Sequence, residues 1–293
     1  MVTIPSQLAE NIVHWHGPAG ERWLDSLPAL VGDLERRWHV RADEPYGDGG
    51  AVSWVAPVTR SGGSQAVLKV FLPDLENEQE PEALEHYAGR GAARALRAEP
   101  GAILLERLVP GTPLWDVEDD DEACRIAAAV LRELWQRPRA GHRFRPLAQD
   151  AARWATEIPA TCEAAGRPYE PELAALAGRL AGELATAQGE QVVLHQDLHG
   201  GNILRAERRP WLAIDPKPLV GEREFDLASL IRDRRDTITE ATVRHRLDLL
   251  SRELGLDRER VRGWAIVHAL AWGVDSGGAH DRMVDCARWL ADA

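Results

Sequence analysis

Hydrophobic positions change their period along the chain, and the changes divide it in two. In the first forty residues Trp23, Leu24, Leu27, Leu30 and Leu34 recur at helical spacing. Pro28 falls inside that run, which predicts that the helix restarts there. Tyr46-Gly47-Asp48-Gly49-Gly50 then reads as a glycine-rich turn. Ala51 to Thr59 predicts a strand, Arg60 to Ser64 a turn and Gln65 to Leu72 a second strand, together a hairpin. An acidic helix is predicted over Glu76 to Gly89, and Ala102 to Leu105 is an apolar run of strand length. From Leu114 the pattern turns helical. Ile126, Val130, Leu131 and Leu134 share a face behind the acidic run Glu118 to Glu122, whose charges suit a helix N-terminus. Further helices are predicted near 147–157, 170–187, 239–254, 258–273 and 279–291. Three short strands interrupt them: Gln191 to Leu194, Asn202 to Arg205 and Trp211 to Ile214. The outline is α+β and two-lobed. A small β-rich lobe covers 1–107, a connector lies near Glu106 to Pro113, and a larger helical lobe covers 108–293.

Composition narrows the function. The net charge of −12 argues against a nucleic-acid partner, which selects a basic face, and is compatible with a cationic one. No run approaches the apolar length of a membrane span. Met1 to Glu10 lacks both the basic start and the apolar core of a signal peptide, so a cytoplasmic protein is expected, as a monomer or weak homodimer. Cys124, Cys162 and Cys286 are odd in number and widely spaced, which suggests neither a disulfide framework nor a zinc site. Lysine is the sharper signal. Arginine is abundant, yet Lys69 and Lys217 are the only lysines. A chain so biased keeps lysine where a compact ammonium does what a guanidinium fork cannot.

The strand island carries the chemistry. It reads His195-Gln196-Asp197-Leu198-His199-Gly200-Gly201-Asn202-Ile203-Leu204, then Trp211-Leu212-Ala213-Ile214-Asp215-Pro216. Phosphoryl transfer needs a carboxylate to orient the attacking hydroxyl, oxygen ligands for Mg²⁺ and a cation for the phosphates. Asp197 and Asn202 have the Asp-x-x-x-x-Asn spacing of a kinase catalytic loop, and Asp215 closes an apolar strand after a short hairpin. Asp197 is therefore the expected catalytic residue, with Asn202 and Asp215 as the Mg²⁺ ligands. A rival arrangement uses the alternation of His195, Asp197 and His199, which on a strand would share one face as in a metal hydrolase. Gly200 and Gly201 count against a strand there. Lys69, on the second hairpin strand, is the expected phosphate anchor for ATP or GTP. Glu80 is its expected partner, with Glu82 second. Gly49 and Gly50, with Ser53 beside them, are expected to close over the triphosphate. Glu106 and Leu108 in the connector are expected beside the base. Trp272 and Asp275 pair an aromatic face with an acid and are candidates for holding a small cationic or hydroxylated substrate.

The segments HQDLHGGNIL and WLAIDPKPLVGEREFDLASLIRD, with the Lys69 strand, the glutamate helix ending EALEHYAGRGAARAL and the LLERL connector, resemble the aminoglycoside/hydroxyurea phosphotransferase family over nearly the whole chain. The resemblance implies a protein-kinase-like fold and transfer of a phosphoryl group to a hydroxyl of an aminocyclitol such as streptomycin. A metabolic kinase acting on a sugar, amino sugar or other small alcohol is the alternative, and a non-catalytic member of the fold a third reading. It implies the same roles for Asp197, Asn202, Asp215, Lys69 and Glu80. Lys217 matches the family's Asp-Pro-Lys-Pro, fixing the segment or lying near phosphate, and Asp226 is expected to brace the catalytic loop. Gln196 departs from the pattern, since many members have glycine before the aspartate.

Overall fold

A long helix opens the chain, and its break is not where the proline pattern puts it. The computed structural model describes residues 2–47, 52–233, 238–275 and 278–293. Helix α1 (Ser6–Trp38) runs through Pro28 and is interrupted instead at Gly17, whose φ of 52° and ψ of −133° are not helical. Pro18 follows that break, where a fixed φ and a missing N–H suit a new first turn. The predicted restart at Pro28 is thus corrected to Gly17–Pro18.

The chain divides into two units. One comprises Met1–Gly89 and Ala93–Val109, the other Arg90–Ala92 and Pro110–Ala293. The first holds α1 and strands β1 (Val40–Ala42), β2 (Ser53–Arg60) and β3 (Gln65–Phe71), then helix α2 (Glu80–Tyr87) and strands β4 (Ala95–Glu99) and β5 (Ala102–Glu106). The strands form one antiparallel sheet in the order β1-β2-β3-β5-β4. Alternation sets its faces. Ala66, Leu68 and Val70 of β3 join Leu27, Val31 and Leu34 of α1 in a buried core, so Lys69 points to the other face. The predicted hairpin is present. The predicted helix 76–89 is shorter, because Asp74 and Asn77 bind the backbone first. Asp74 Oδ1 accepts from Glu76 and Asn77 N–H at 2.9 Å, and Asn77 Nδ2 donates to the Leu72 carbonyl. That turn holds 74–79 out of the helix, and Pro81 sits in the first helical turn. Strands β1 and β4 were not foreseen: β1 is three residues long, and β4 is mostly exposed and lacks alternation.

The second unit is helical and carries three small sheets among its described residues. Helix α3 (Asp120–Leu134) begins with Asp119 accepting from Glu122 N–H, and of the acidic run predicted at its N-terminus Asp120, Asp121 and Glu122 lie in the first turn. Short strand β6 (Arg145–Pro146) leads into α4 (Leu147–Ala164), then α5 (Pro171–Thr186). Strands β7 (Gln191–Leu194), β8 (Ile203–Arg205), β9 (Trp211–Ala213) and β10 (Leu219–Glu222) follow, and then helices α6 (Ala228–Ile231), α7 (Glu240–Leu254) and α8 (Arg258–Ala271). A two-residue pair, β11 (Val274–Asp275) and β12 (Gly278–Ala279), precedes α9 (Asp281–Ala291). β10 lies between β6 and β7, and β8 pairs with β9. β10 went unforeseen because all four of its residues are buried and show no alternation. The fully buried Glu222 at its end accepts from Arg260 and from Trp264 Nε1, both on α8. Helix α8 is buried along most of its length and forms the spine of this unit. The segment Arg90–Ala92 joins it as Ala213 N–H donates to the Gly91 carbonyl at 2.7 Å. The fold is therefore β-rich in its N-terminal part and helical in its C-terminal part, as the pattern predicts. Among the described residues no helix is long and apolar enough to cross a membrane.

Candidate active site

The second unit builds a loop between β7 and β8 whose backbone is pinned from three sides. Asp226 is fully buried beneath it. Its Oδ1 accepts from the N–H groups of His195 and Gln196 at 2.9 and 2.8 Å, and its Oδ2 from Trp135 Nε1 at 3.0 Å. Burial pushes the Asp226 carboxyl up to about 6, against the pull of those three N–H donors. Gln196 has a φ of 68°, a left-handed conformation that glycine adopts without cost. The departure from glycine seen in the sequence therefore falls on a position that favours glycine. Ser229 Oγ donates to the Gln196 carbonyl at 3.0 Å, and the buried His268 binds the same backbone. His195 is fully buried and its Nε2 donates to the Ile214 carbonyl at 2.9 Å. Burial lowers its pKa to about 4, so the ring is neutral near pH 7.

Two glycines close the loop against an aromatic pair. The Trp115 ring stacks on His199 with centroids 5.1 Å apart and planes 6° apart. Trp115 Nε1 donates to Asp233 Oδ1, and Gly200 N–H donates to Asp233 Oδ2. A Cβ on Gly200 would lie 2.6 Å from Trp115 Cδ1, and one on Gly201 2.5 Å from Trp115 Cη2. No side chain fits at either position.

These supports present Asp197 and Asn202. The Asp197 side chain is about a quarter exposed. Asn202 Nδ2 donates to the Asp197 carbonyl at 2.8 Å, which fixes the amide. β8 and β9 pair Ile203 with Ala213, and Ile214 N–H donates to the Asn202 carbonyl, so Asp215 emerges beside Asn202 at the hairpin's open end. Asp215 has a φ of 59°. A carboxylate and an amide oxygen at one hairpin end are the hard donors Mg²⁺ prefers, leaving its other positions to water and phosphate. Lys217 Nζ lies 3.3 Å from Asp197 Oδ2.

The alternative metal cluster of His195, Asp197 and His199 does not form. The three lie on a loop rather than on one face of a strand. His195 Nε2 is committed to Ile214, and His199 Nδ1 accepts from Gly201 N–H. Among the described residues no group of three or more His, Cys, Asp and Glu side chains is placed to hold a metal ion.

In the first unit Lys69 occupies the central strand and is buried, and its Nζ meets Glu80 Oε2 at 2.6 Å, with Glu80 itself fully buried. Glu82, the second choice, is half-buried in the same turn of α2. Ser53 is buried opposite Phe71. Glu106 ends β5, where Oε1 accepts from Arg94 N–H at 2.8 Å, and Leu108 is half-buried after it. Gly49 and Gly50 lie outside the described residues. Trp272 is half-buried in the second unit, stacked on His268 at 4.3 Å and edge-on to Trp154 at 5.2 Å. Asp275 lies on β11. Trp115, Asp233, Ser229 and His268 were missed in the sequence: Trp115 and His268 are isolated residues with no motif around them, and Ser229 and Asp233 close the segment WLAIDPKPLVGEREFDLASLIRD without the spacing that would mark a role.

The fold and the relatives of this chain define a phosphotransferase of the kinase-like class. A sequence model of the aminoglycoside/hydroxyurea antibiotic resistance kinase family matches residues 37–283. The streptomycin 6-kinase of Streptomyces glaucescens is 38% identical over 289 residues, 95% of this chain and 93% of that protein. The hydroxyurea phosphotransferase of Kitasatospora aureofaciens is also 38% identical, over 94% of this chain and 82% of that protein. The crystal structure of a thermostable mutant of aminoglycoside phosphotransferase APH(4)-Ia, in ternary complex with ADP and hygromycin B, shares the fold. It has a TM-score of 0.56 and 16% identity, covering 89% of this chain and 95% of that one. The chain belongs to the aminoglycoside/hydroxyurea antibiotic resistance kinase family, and its reaction is phosphoryl transfer to a hydroxyl group.

Proposed function

We propose that this enzyme transfers the γ-phosphoryl group of ATP to a hydroxyl of a cationic aminocyclitol antibiotic such as streptomycin, and so inactivates it. The observation that carries the proposal is the braced loop, which presents the Asp197 carboxylate to solvent. Identity to a streptomycin 6-kinase over almost the full length of both chains supports the acceptor. In this reading Asp197 orients the acceptor hydroxyl and receives its proton. Asn202 and Asp215 hold Mg²⁺, which when bound neutralises phosphate charge. Lys69, steadied by Glu80, holds the α- and β-phosphates, with Ser53, Gly49 and Gly50 near them and Glu106 and Leu108 beside the base. Trp272, one face of which rests on His268, offers its remaining surface to the cationic substrate together with Asp275. The protein acts in the cytoplasm as a monomer or weak homodimer.

A second acceptor has a specific observation in its favour, since the hydroxyurea phosphotransferase matches at the same identity. The test is phosphoryl transfer against a panel of streptomycin, other aminoglycosides, hydroxyurea and amino sugars, with Mg²⁺ and either ATP or GTP. Phosphorylated streptomycin is the expected product. Asp197→Asn is expected to fold and to lose transfer by about 10³-fold or more. Turnover of hydroxyurea or an amino sugar alone would replace the acceptor, and near-normal turnover by Asp197→Asn would remove the role given to Asp197.

A further inference from the structure

Lys217 has no role in the scheme above, yet it is one of only two lysines in the chain. The first, Lys69, meets Glu80, and the second meets Asp197, with Nζ 3.3 Å from Oδ2. Its mount is rigid. Pro216 and Pro218 flank it, the second proline restricts Lys217 itself to extended backbone, and its N–H donates to the His195 carbonyl at 3.0 Å. The catalytic loop therefore places the ammonium. Stability does not account for it, because both partners are about a quarter exposed and such pairs contribute only about 0–1 kcal/mol. An arginine here would grip both carboxylate oxygens with its fork. A single ammonium on Oδ2 leaves Oδ1 to the acceptor hydroxyl.

Resting on the reading of Asp197 as the group that receives that hydroxyl, we propose that Lys217 is a catalytic residue, whose ammonium carries positive charge to the phosphoryl group during transfer. In that step the bond from phosphorus to the leaving diphosphate oxygen breaks, and its electron pair departs with the nucleoside diphosphate. The bond from phosphorus to the acceptor oxygen forms, and the acceptor's proton passes to Asp197. Charge spreads over the three equatorial phosphoryl oxygens as this happens, and a fixed cation one carboxylate away stabilises it.

The test compares wild type, Lys217→Met, Asp197→Asn and the double variant. Single-turnover transfer from ATP to streptomycin and slow ATP hydrolysis by water are both measured, with the unfolding midpoint as a control. Lys217→Met is expected to lower kcat roughly 100-fold with acceptor KM within about threefold, the pattern of an interaction made in the transition state. The Asp197→Asn background separates two roles. A lysine that serves only to hold Asp197 has nothing left to hold there, whereas one acting on the phosphoryl group still loses at least about tenfold when replaced. A Lys217→Met kcat within threefold of wild type, a kcat above wild type, or a loss that vanishes in the Asp197→Asn background overturns the proposal. An active Asp197→Asn enzyme would instead remove the reading of Asp197 on which it rests.

Discussion

Gly201 can be made to report how firmly the Trp115–His199 stack holds the loop. Replacing Gly201 by alanine puts a methyl 2.5 Å from Trp115 Cη2, 2.7 Å from Cζ3 and 2.9 Å from His199 Cε1. Rings on both sides must move, and overpacking of this kind costs about 1–3 kcal/mol. At an unfolding entropy of about 2.1 cal/mol/K per residue, 2 kcal/mol lowers the melting temperature of a chain this long by about 3 °C. Activity is the more sensitive readout. Gly201 precedes Asn202 directly, and a shift of about 1 Å in a reacting group lowers rate by about 100-fold. The decisive arm is Trp115→Ala. That variant empties the space the new methyl enters and frees His199 to follow, so Gly201→Ala is expected to add little to it. The coupling energy is expected to be about 1–2 kcal/mol in a double-mutant cycle followed by urea unfolding. Additive losses, within about 0.5 kcal/mol, would refute the claim that the indole excludes side chains from the loop.

Two further predictions concern buried charge. Glu80→Ala removes the carboxylate 2.6 Å from the buried Lys69 ammonium and is expected to destabilise the protein by about 3 kcal/mol; urea unfolding checks it, and a loss under 1 kcal/mol would mean that the pair is dispensable to the fold. His195 gives a pH dependence. Its folded pKa of about 4 lies below the ordinary 6.5, so the stability it contributes is whole above pH 6.5 and is lost as the pH falls toward 4. The difference corresponds to about 3 kcal/mol. Asp226, raised to about 6, acts in the opposite sense over much of that window, because protonation in the folded state favours folding as the pH falls below 6. Wild type alone thus shows a partial cancellation, and the comparison with His195→Gln isolates the histidine: its unfolding free energy is expected to fall less between pH 7 and pH 4.5. Parallel curves for the two proteins would remove His195 from the account.

The parts of the site that chemistry demands could be read in the sequence, and the parts that geometry demands could not. Asp197 and Asn202 stand out by their Asp-x-x-x-x-Asn spacing, Asp215 because a short hairpin follows that loop and ends on it, and Lys69 because lysine is so rare here. Asp226 is linked to the backbone N–H groups of His195 and Gln196 across some thirty residues, and the resemblance alone pointed to it. Trp115 reaches the loop from 118 residues before its partner Asp233, and no local pattern encodes such a contact. The fold divides the same way. Amphipathic helices such as α3 were legible from their apolar stripe. Strand β10 was not, since it is buried on both faces, and the break in α1 fell at Gly17 rather than at Pro28, which a helix accommodates by leaving one carbonyl without its N–H partner.

The scarcity of lysine has a practical side. The α-amino group aside, an amine-selective acylating reagent finds two targets in the whole chain, and they differ in reach: Lys69 is 5% exposed, whereas the Lys217 side chain is 27% exposed. Of the two lysines, the one acylated at low reagent dose will therefore be Lys217, beside Asp197. The yield of that adduct on the peptide that carries Lys217 becomes a direct gauge of whether a ligand covers the Asp197 carboxylate, and coupling the enzyme to a support through its amines would crowd the same carboxylate.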